Sequence, residues 1–201
     1  MLLCRAASCL ALLAACSTTP KMAPIPNVPL WDYSLESSFR ANTTNPVLDR
    51  FTDLSLNENI DKPLIRKVGL YRYRLNSTPF GMYITGPADA PWVSVQDPPV
   101  SAIVLDQFQP PIRAIGVNTF SFVGANKAEK ATVGLVIYTK HGRVIREAFP
   151  ANEQTFVGVV SPSDPILAVR VQIFRPTVGA RGRTEYPALR GVILGSATFV
   201  K

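Results

Sequence analysis

The chain has 201 residues, 47% of them apolar and 17% charged, and its 21 Lys and Arg outnumber 14 Asp and Glu for a formal net charge of +7. That is enough apolar material to bury a core without crosslinks, which excludes a disulfide mini-scaffold and a disordered chain. Beyond the first twenty positions there is no apolar run of about 18 residues, so a polytopic helical membrane protein is excluded too.

The chain opens MLLCRAASCLALLAAC, with one positive side chain, Arg5, and an apolar stretch from Cys9 to Ala15. A charged, an apolar and a small-residue region in this order read as a secretory signal. Its end, Leu13-Ala14-Ala15-Cys16, resembles the lipobox of bacterial lipoproteins. The resemblance implies removal of 1–15, a diacylglyceryl group on the Cys16 thiol, and a fatty acid such as palmitate on the new amine. Two or three acyl chains, at about 0.8 kcal/mol per buried CH₂, anchor a protein where one chain is marginal. Ser17 stands where Asp accompanies inner-membrane retention, so the same resemblance implies delivery to the outer membrane, facing the periplasm or the cell surface. Cys4 and Cys9 leave with the signal, and no second thiol remains for a disulfide or a zinc site.

Residues 16–46 hold Pro20, Pro24, Pro26 and Pro29 with little periodicity. Such a segment reads as an extended tether, although Trp31, Tyr33, Leu35 and Phe39 open the alternative that its second half docks. From 47 to 201 the signals are those of strands, expected over 64–74, 80–85, 100–108, 112–122, 131–140, 143–149, 155–160, 166–175 and 189–200. Strict alternation in Val169-Arg170-Val171-Gln172-Ile173 marks a half-buried antiparallel strand. Lys140-His141-Gly142-Arg143 reads as a hairpin turn, and the proline pairs at 98–99 and 110–111 interrupt strands. Close spacing of so many short strands predicts an all-β fold, an antiparallel two-sheet β-sandwich of jelly-roll type.

Phe51-Thr52-Asp53-Leu54, Val68-Gly69-Leu70, the run from Pro111 to Val117, Lys140-His141-Gly142, Thr155-Phe156-Val157-Gly158-Val159 and the strand from Ile166 to Phe174 together resemble a loose family of secreted bacterial β-sandwich proteins. Many of its members carry PEP-type sorting signals. The resemblance implies the sandwich fold over roughly 50–200. An Asp-Asn pair often precedes the last strand in that family; here Leu189-Arg190-Gly191-Val192 stands instead, so no ligand role is carried over.

The single histidine, His141, falls in the hairpin turn, away from any cleft in which a general base would act. Glu129, Glu147, Glu153 and Glu185 stand apart, with no alternating carboxylate pair of the glycosidase kind within a strand. No catalytic constellation is found and no cofactor is expected, apart from a structural calcium that Asp97, Asp106 and Asp164 would hold near strand ends. The segment from Arg175 to Arg190, with Arg181 and Arg183 between, reads as a long basic connection: either a contact for an anionic envelope polymer or acidic partner protein, or a solvated loop. Export argues against nucleic acid, and no RNP1-like motif occurs. Tyr71, Tyr73 and Trp92, with Tyr83, are candidates for a sugar platform, the first two sharing one strand face. The expected function is that of an envelope-anchored, non-enzymatic lipoprotein presenting a sandwich for binding or assembly, the alternative being a polysaccharide-binding or polysaccharide-degrading sandwich.

Overall fold

A computed structural model describes residues 30–78, 81–96, 102–123, 127–129, 131–148, 155–175 and 186–197. Cys16, Asp97, Arg181 and Arg183 lie outside the described residues.

In chain order the elements are β1 (Trp31–Tyr33), α1 (Glu36–Ala41), β2 (Thr43–Asp49), β3 (Asn59–Ile60), β4 (Leu64–Val68), β5 (Tyr71–Thr78), β6 (Met82–Thr85), β7 (Trp92–Val95) and β8 (Ala102–Gln109). They continue with β9 (Ala114–Val123), β10 (Lys127–Glu129), β11 (Thr132–Thr139), β12 (Gly142–Ala148), β13 (Thr155–Val160), β14 (Ile166–Arg175) and β15 (Tyr186–Ala197). The strands form two antiparallel sheets, as the sequence predicts. Sheet A runs β1-β13-β9-β15-β7-β6-β3, with β2 also on β15 and β10 on β9; sheet B runs β12-β11-β14-β8-β5-β4.

Alternation along the strands builds the core between the sheets. On β5, Tyr71, Tyr73 and Leu75 turn inward, and Ile103, Leu105, Val169 and Val171 extend that surface across sheet B. Ile115, Val117, Val159, Val192 and Leu194 meet it from sheet A. Each such aliphatic side chain contributes about 1.5–3 kcal/mol on burial, and no cysteine occurs among the described residues, which are held by packing.

The segment expected as a tether joins the domain from Trp31 onward: β1 pairs with β13 and β2 with β15. Helix α1 has six residues and no side-chain N-cap, so it holds by tertiary contact. Its anchor is Phe39, fully buried on the outer face of sheet A. Gly116 and Gly158 face each other in register beneath it. A Cβ on Gly158 would lie 2.5 Å from Phe39 Cδ2, and one on Gly116 2.7 Å from Phe156 Cζ, so only glycine admits the two rings.

Ion pairs close the sandwich along both sides. On one, Asp32 of β1 accepts from Arg146 of β12. On the other, Arg66 of β4 donates to Asp49 of β2 through Nε at 3.0 Å and Nη2 at 2.8 Å, and to Asp53 through Nη1 at 2.8 Å and Nη2 at 2.7 Å. The Tyr73 hydroxyl donates to Asp49 at 2.8 Å, and the Phe51 N–H at 3.0 Å. Phe51 takes φ of 60°, rare for a residue with a side chain, and its ring lies under the Arg66 guanidinium. Burial pulls Arg66 toward neutrality, but its two carboxylates outweigh that and hold its proton more tightly than usual; burial beside Asp49 pushes the Tyr73 phenol well up.

The expected strand over 64–74 is two strands. Gly69, at φ +54°, turns the chain between β4 and β5, a conformation glycine supplies without steric cost. The last strand begins at Tyr186, three residues before the expected start.

Candidate functional site

Helix α1 covers sheet A's outer face around Phe156 and Val160 of β13, Ala114 of β9 and Ile193 and Ala197 of β15, and the first part of β15 with β7, β6 and β3 presents its outer face beyond that cluster. Register fixes which side chains share that face. Tyr83 of β6 stands opposite Ser94 of β7, Ser94 opposite Ala188 of β15, and Ala188 opposite Phe120 of β9. One row along, Tyr186 faces Phe122, and Asn59 flanks Tyr83 from β3.

An open groove of about 440 Å³ results, lined by Asn59, Tyr83, Val95, Gln96, Phe122 and Tyr186. Phe122 and Tyr186 stack with centroids 5.3 Å apart and planes at 22°. Tyr83 donates its hydroxyl proton to Asn57 Oδ1 at 3.0 Å, which fixes the ring at the groove wall. The Gln96 amide donates to the Met82 carbonyl at 3.2 Å, leaving its Oε1 as an acceptor. Aromatic rings and side-chain amides on one open surface are the two requirements of a saccharide, whose C–H faces stack on rings and whose hydroxyls need donors and acceptors.

Beyond the groove, Trp92 packs edge-on against Phe120 at 5.1 Å and tilted against Phe122 at 6.1 Å. The Arg190 guanidinium covers both rings, 5.2 Å from the Trp92 centroid and 5.4 Å from that of Phe120. Such stacking contributes about 0.5–2 kcal/mol. Trp92 in turn lies on Gly86, where a Cβ would fall 2.4 Å from its ring.

Arg190 also edges a second hollow of about 290 Å³, shared with Glu36, Arg50, Asp89 and Asn118. Glu36 accepts from Arg40 Nε at 2.8 Å and from Asn118 Nδ2 at 3.2 Å. Burial pushes its carboxyl up, but these bonds and the charges of Arg40 and Arg50 outweigh it and hold Glu36 below its ordinary value. A glycosidase acid needs the opposite shift, to keep its proton near neutral pH.

Several sequence expectations change. Tyr71 and Tyr73 are 2% and 0% exposed and belong to the core between the sheets, because alternation on β5 turns them inward with Leu75; they form no sugar platform. Trp92 is on the outer face but only 5% exposed, covered by Arg190 and the phenylalanines. Of the four candidate rings, Tyr83 alone lines the groove. Arg175 ends β14 and Tyr186 opens β15, so Arg190 lies within β15, inside the strand expected over 189–200, and not in a loop with Arg181 and Arg183. Phe122, Tyr186, Asn59 and Gln96 went unread. The alternation Phe120-Ser121-Phe122 puts two rings on one face, but their meeting with Tyr186 depends on strand pairing.

His141 sits in the β11–β12 turn as expected, with Nδ1 2.8 Å from Asp164 Oδ2. That bond, opposed by burial, holds the Asp164 carboxyl below its ordinary range. Asp106 is gripped by Arg74 through bonds of 2.7 and 2.6 Å. The two carboxylates offered for calcium are therefore engaged in separate places, and no cluster of three or more His, Cys, Asp or Glu suited to a metal occurs among the described residues. Nor, among them, is any helix long and apolar enough to cross a membrane.

No protein-family model matches the chain, and no curated protein matches it. Solved structures similar to it include variants of family 29 carbohydrate-binding modules. One, solved to probe ligand recognition by that family, is 15% identical over 72% of this chain and 96% of its own, with a TM-score of 0.39. Another is 15% identical over 71% of this chain and 95% of its own, with a TM-score of 0.41.

Proposed function

We propose that this protein is a non-catalytic carbohydrate-binding sandwich, held at the outer membrane through lipid on Cys16. The observation that carries the binding half is the groove on sheet A, where the stacked Phe122–Tyr186 pair and Tyr83 stand beside the Asn59 and Gln96 amides. An extended polymer needs a surface open along its length, and this one is open where α1 ends its cover. The lipobox-like Leu13-Ala14-Ala15-Cys16 is what supports the anchor. The sequence expectation of unspecified binding or assembly thus narrows to its own alternative, polysaccharide binding.

Electrophoresis through gels containing soluble polysaccharides tests the proposal, with Tyr83→Ala and Tyr186→Ala beside the parent. Side chains central to a binding surface cost more than about 1 kcal/mol when truncated, and 1.4 kcal/mol is tenfold in Kd. Each variant is expected to bind roughly tenfold more weakly while melting within a few degrees of the parent. A parent retarded by no polysaccharide, or variants retarded as strongly as the parent, overturns it.

A further inference from the structure

We infer that the glycan is acidic, and that a sugar carboxylate binds Arg190 in the charged hollow next to the aromatic groove. The inference rests on the carbohydrate-binding reading and specifies its ligand.

The two hollows lie along one strand. Tyr186 lines the groove and Arg190 the charged hollow, four residues apart on β15, roughly 13 Å at strand rise. Between them the buried rings of Phe122 and Trp92 pack against each other and join the floors of the two hollows. The pairing of β15 with β9 skips a residue between Leu189 and Gly191, which leaves Arg190 as the unpaired residue of a bulge. Bulges redirect side chains, and this one lays Arg190 on Trp92 and Phe120.

So placed, Arg190 has a fixed plane and an incomplete set of partners. Among the described residues no carboxylate forms an ion pair with it, and its buried Nε donates to no protein acceptor; the same is true of the Trp92 Nε1 beneath it. A buried donor without an acceptor costs about 1–3 kcal/mol. A carboxylate offers two oxygens to the guanidinium in parallel, and a guanidinium already held flat loses little freedom in accepting it.

Charge sets the type of anion. Glu36 is taken up by Arg40 and Asn118, which leaves Arg50 and Arg190 against the exposed Asp89. One net positive charge matches a single carboxylate. A phosphate dianion exceeds that one charge and would bring its second negative charge toward Asp89, where like charges repel.

The test uses alginate, polygalacturonate and hyaluronan, each beside its methyl ester, which keeps the backbone and removes the charge. The parent is expected to bind at least one acid more than tenfold tighter than its ester, with the difference shrinking as salt rises. Arg190→Gln is expected to erase the difference by bringing acid binding down to the level of the ester, whereas Tyr83→Ala weakens both forms and keeps the difference. Should Arg190→Gln not fold, Arg50→Gln, at an exposed position, is expected to reduce the preference severalfold. Equal binding of acid and ester, or retention of only neutral glycans, overturns the acidic-ligand inference and leaves the groove reading standing. Equal retention of a sulfated neutral glycan overturns the carboxylate assignment, and no retention of any glycan overturns both readings.

Discussion

Replacing Arg66 by Met removes the guanidinium that joins β2 to β4 and keeps most of its apolar stem. The Arg66 and Asp49 side chains are 10% and 4% exposed, so Arg66→Met strands a buried carboxylate whose other partners are the Tyr73 hydroxyl and the Phe51 N–H. Breaking a buried pair from one side costs about 3–5 kcal/mol, because the remaining charge is uncompensated. For a chain of this size each kcal/mol lowers Tm by about 2–4 °C, so the variant is expected to melt roughly 6–20 °C below the parent. Asp53 is the contrasting partner, with a side chain 67% exposed, and Asp53→Asn is expected to cost about 1 kcal/mol or less. Urea denaturation followed by far-ultraviolet circular dichroism gives both values. In an Asp49→Asn background, Arg66→Met is expected to cost at least about 1 kcal/mol less than in the parent, since the two residues act as a pair. A loss under about 1 kcal/mol for Arg66→Met in the parent, or one no larger than that for Asp53→Asn, refutes the reasoning.

The opposite seam is exposed, and Arg146→Gln is expected to shift the urea midpoint by no more than about 1 kcal/mol in stability. Gly158→Ala pushes a methyl into Phe39 and is expected to cost about 1–3 kcal/mol, with faster proteolytic cleavage within α1 than in the parent as the second readout. The Arg66 hydrogen bond, opposed by burial, holds the Asp53 carboxyl below its ordinary 3.8. A depressed carboxyl adds stability above its unfolded pKa and loses it as pH falls through the folded one. Unfolding free energy is therefore expected to fall below about pH 4, less steeply in Asp53→Asn, as pH-dependent urea melts will show. Cys16→Ser is expected to abolish labelled-palmitate incorporation and to move the protein from the membrane to the soluble fraction; label that survives the substitution refutes the anchor.

The strands that are long and alternating were legible in the sequence. Val169–Ile173 reads as a half-buried strand because period-2 patterning is local, and the run 155–160 matches β13 to the residue. The short edge strands β1 and β3 and the proline-containing β2 were not legible, since what holds them is pairing with distant partners. Tyr71 and Tyr73 show the limit for the site: alternation says that two rings share a face, not whether the face looks inward. At Arg190 the basic connection read from Arg175 to Arg190 overlapped the strand expected from 189, and nothing local in the sequence signals the bulge that the chain makes there. Asp49, Arg66 and Tyr73 are up to 24 residues apart and carry no motif, so their meeting came only from the topology.

The most direct test of the central claim is a map of backbone amide shifts by nuclear magnetic resonance while an oligosaccharide cut from a retained polysaccharide is added. The account predicts that the shifts concentrate at Asn59, Tyr83, Gln96, Phe122 and Tyr186, and that they reach Arg190 when the sugar carries a carboxylate. Shifts confined to the outer face of sheet B, around Arg72, Arg74 and Arg170, would contradict it.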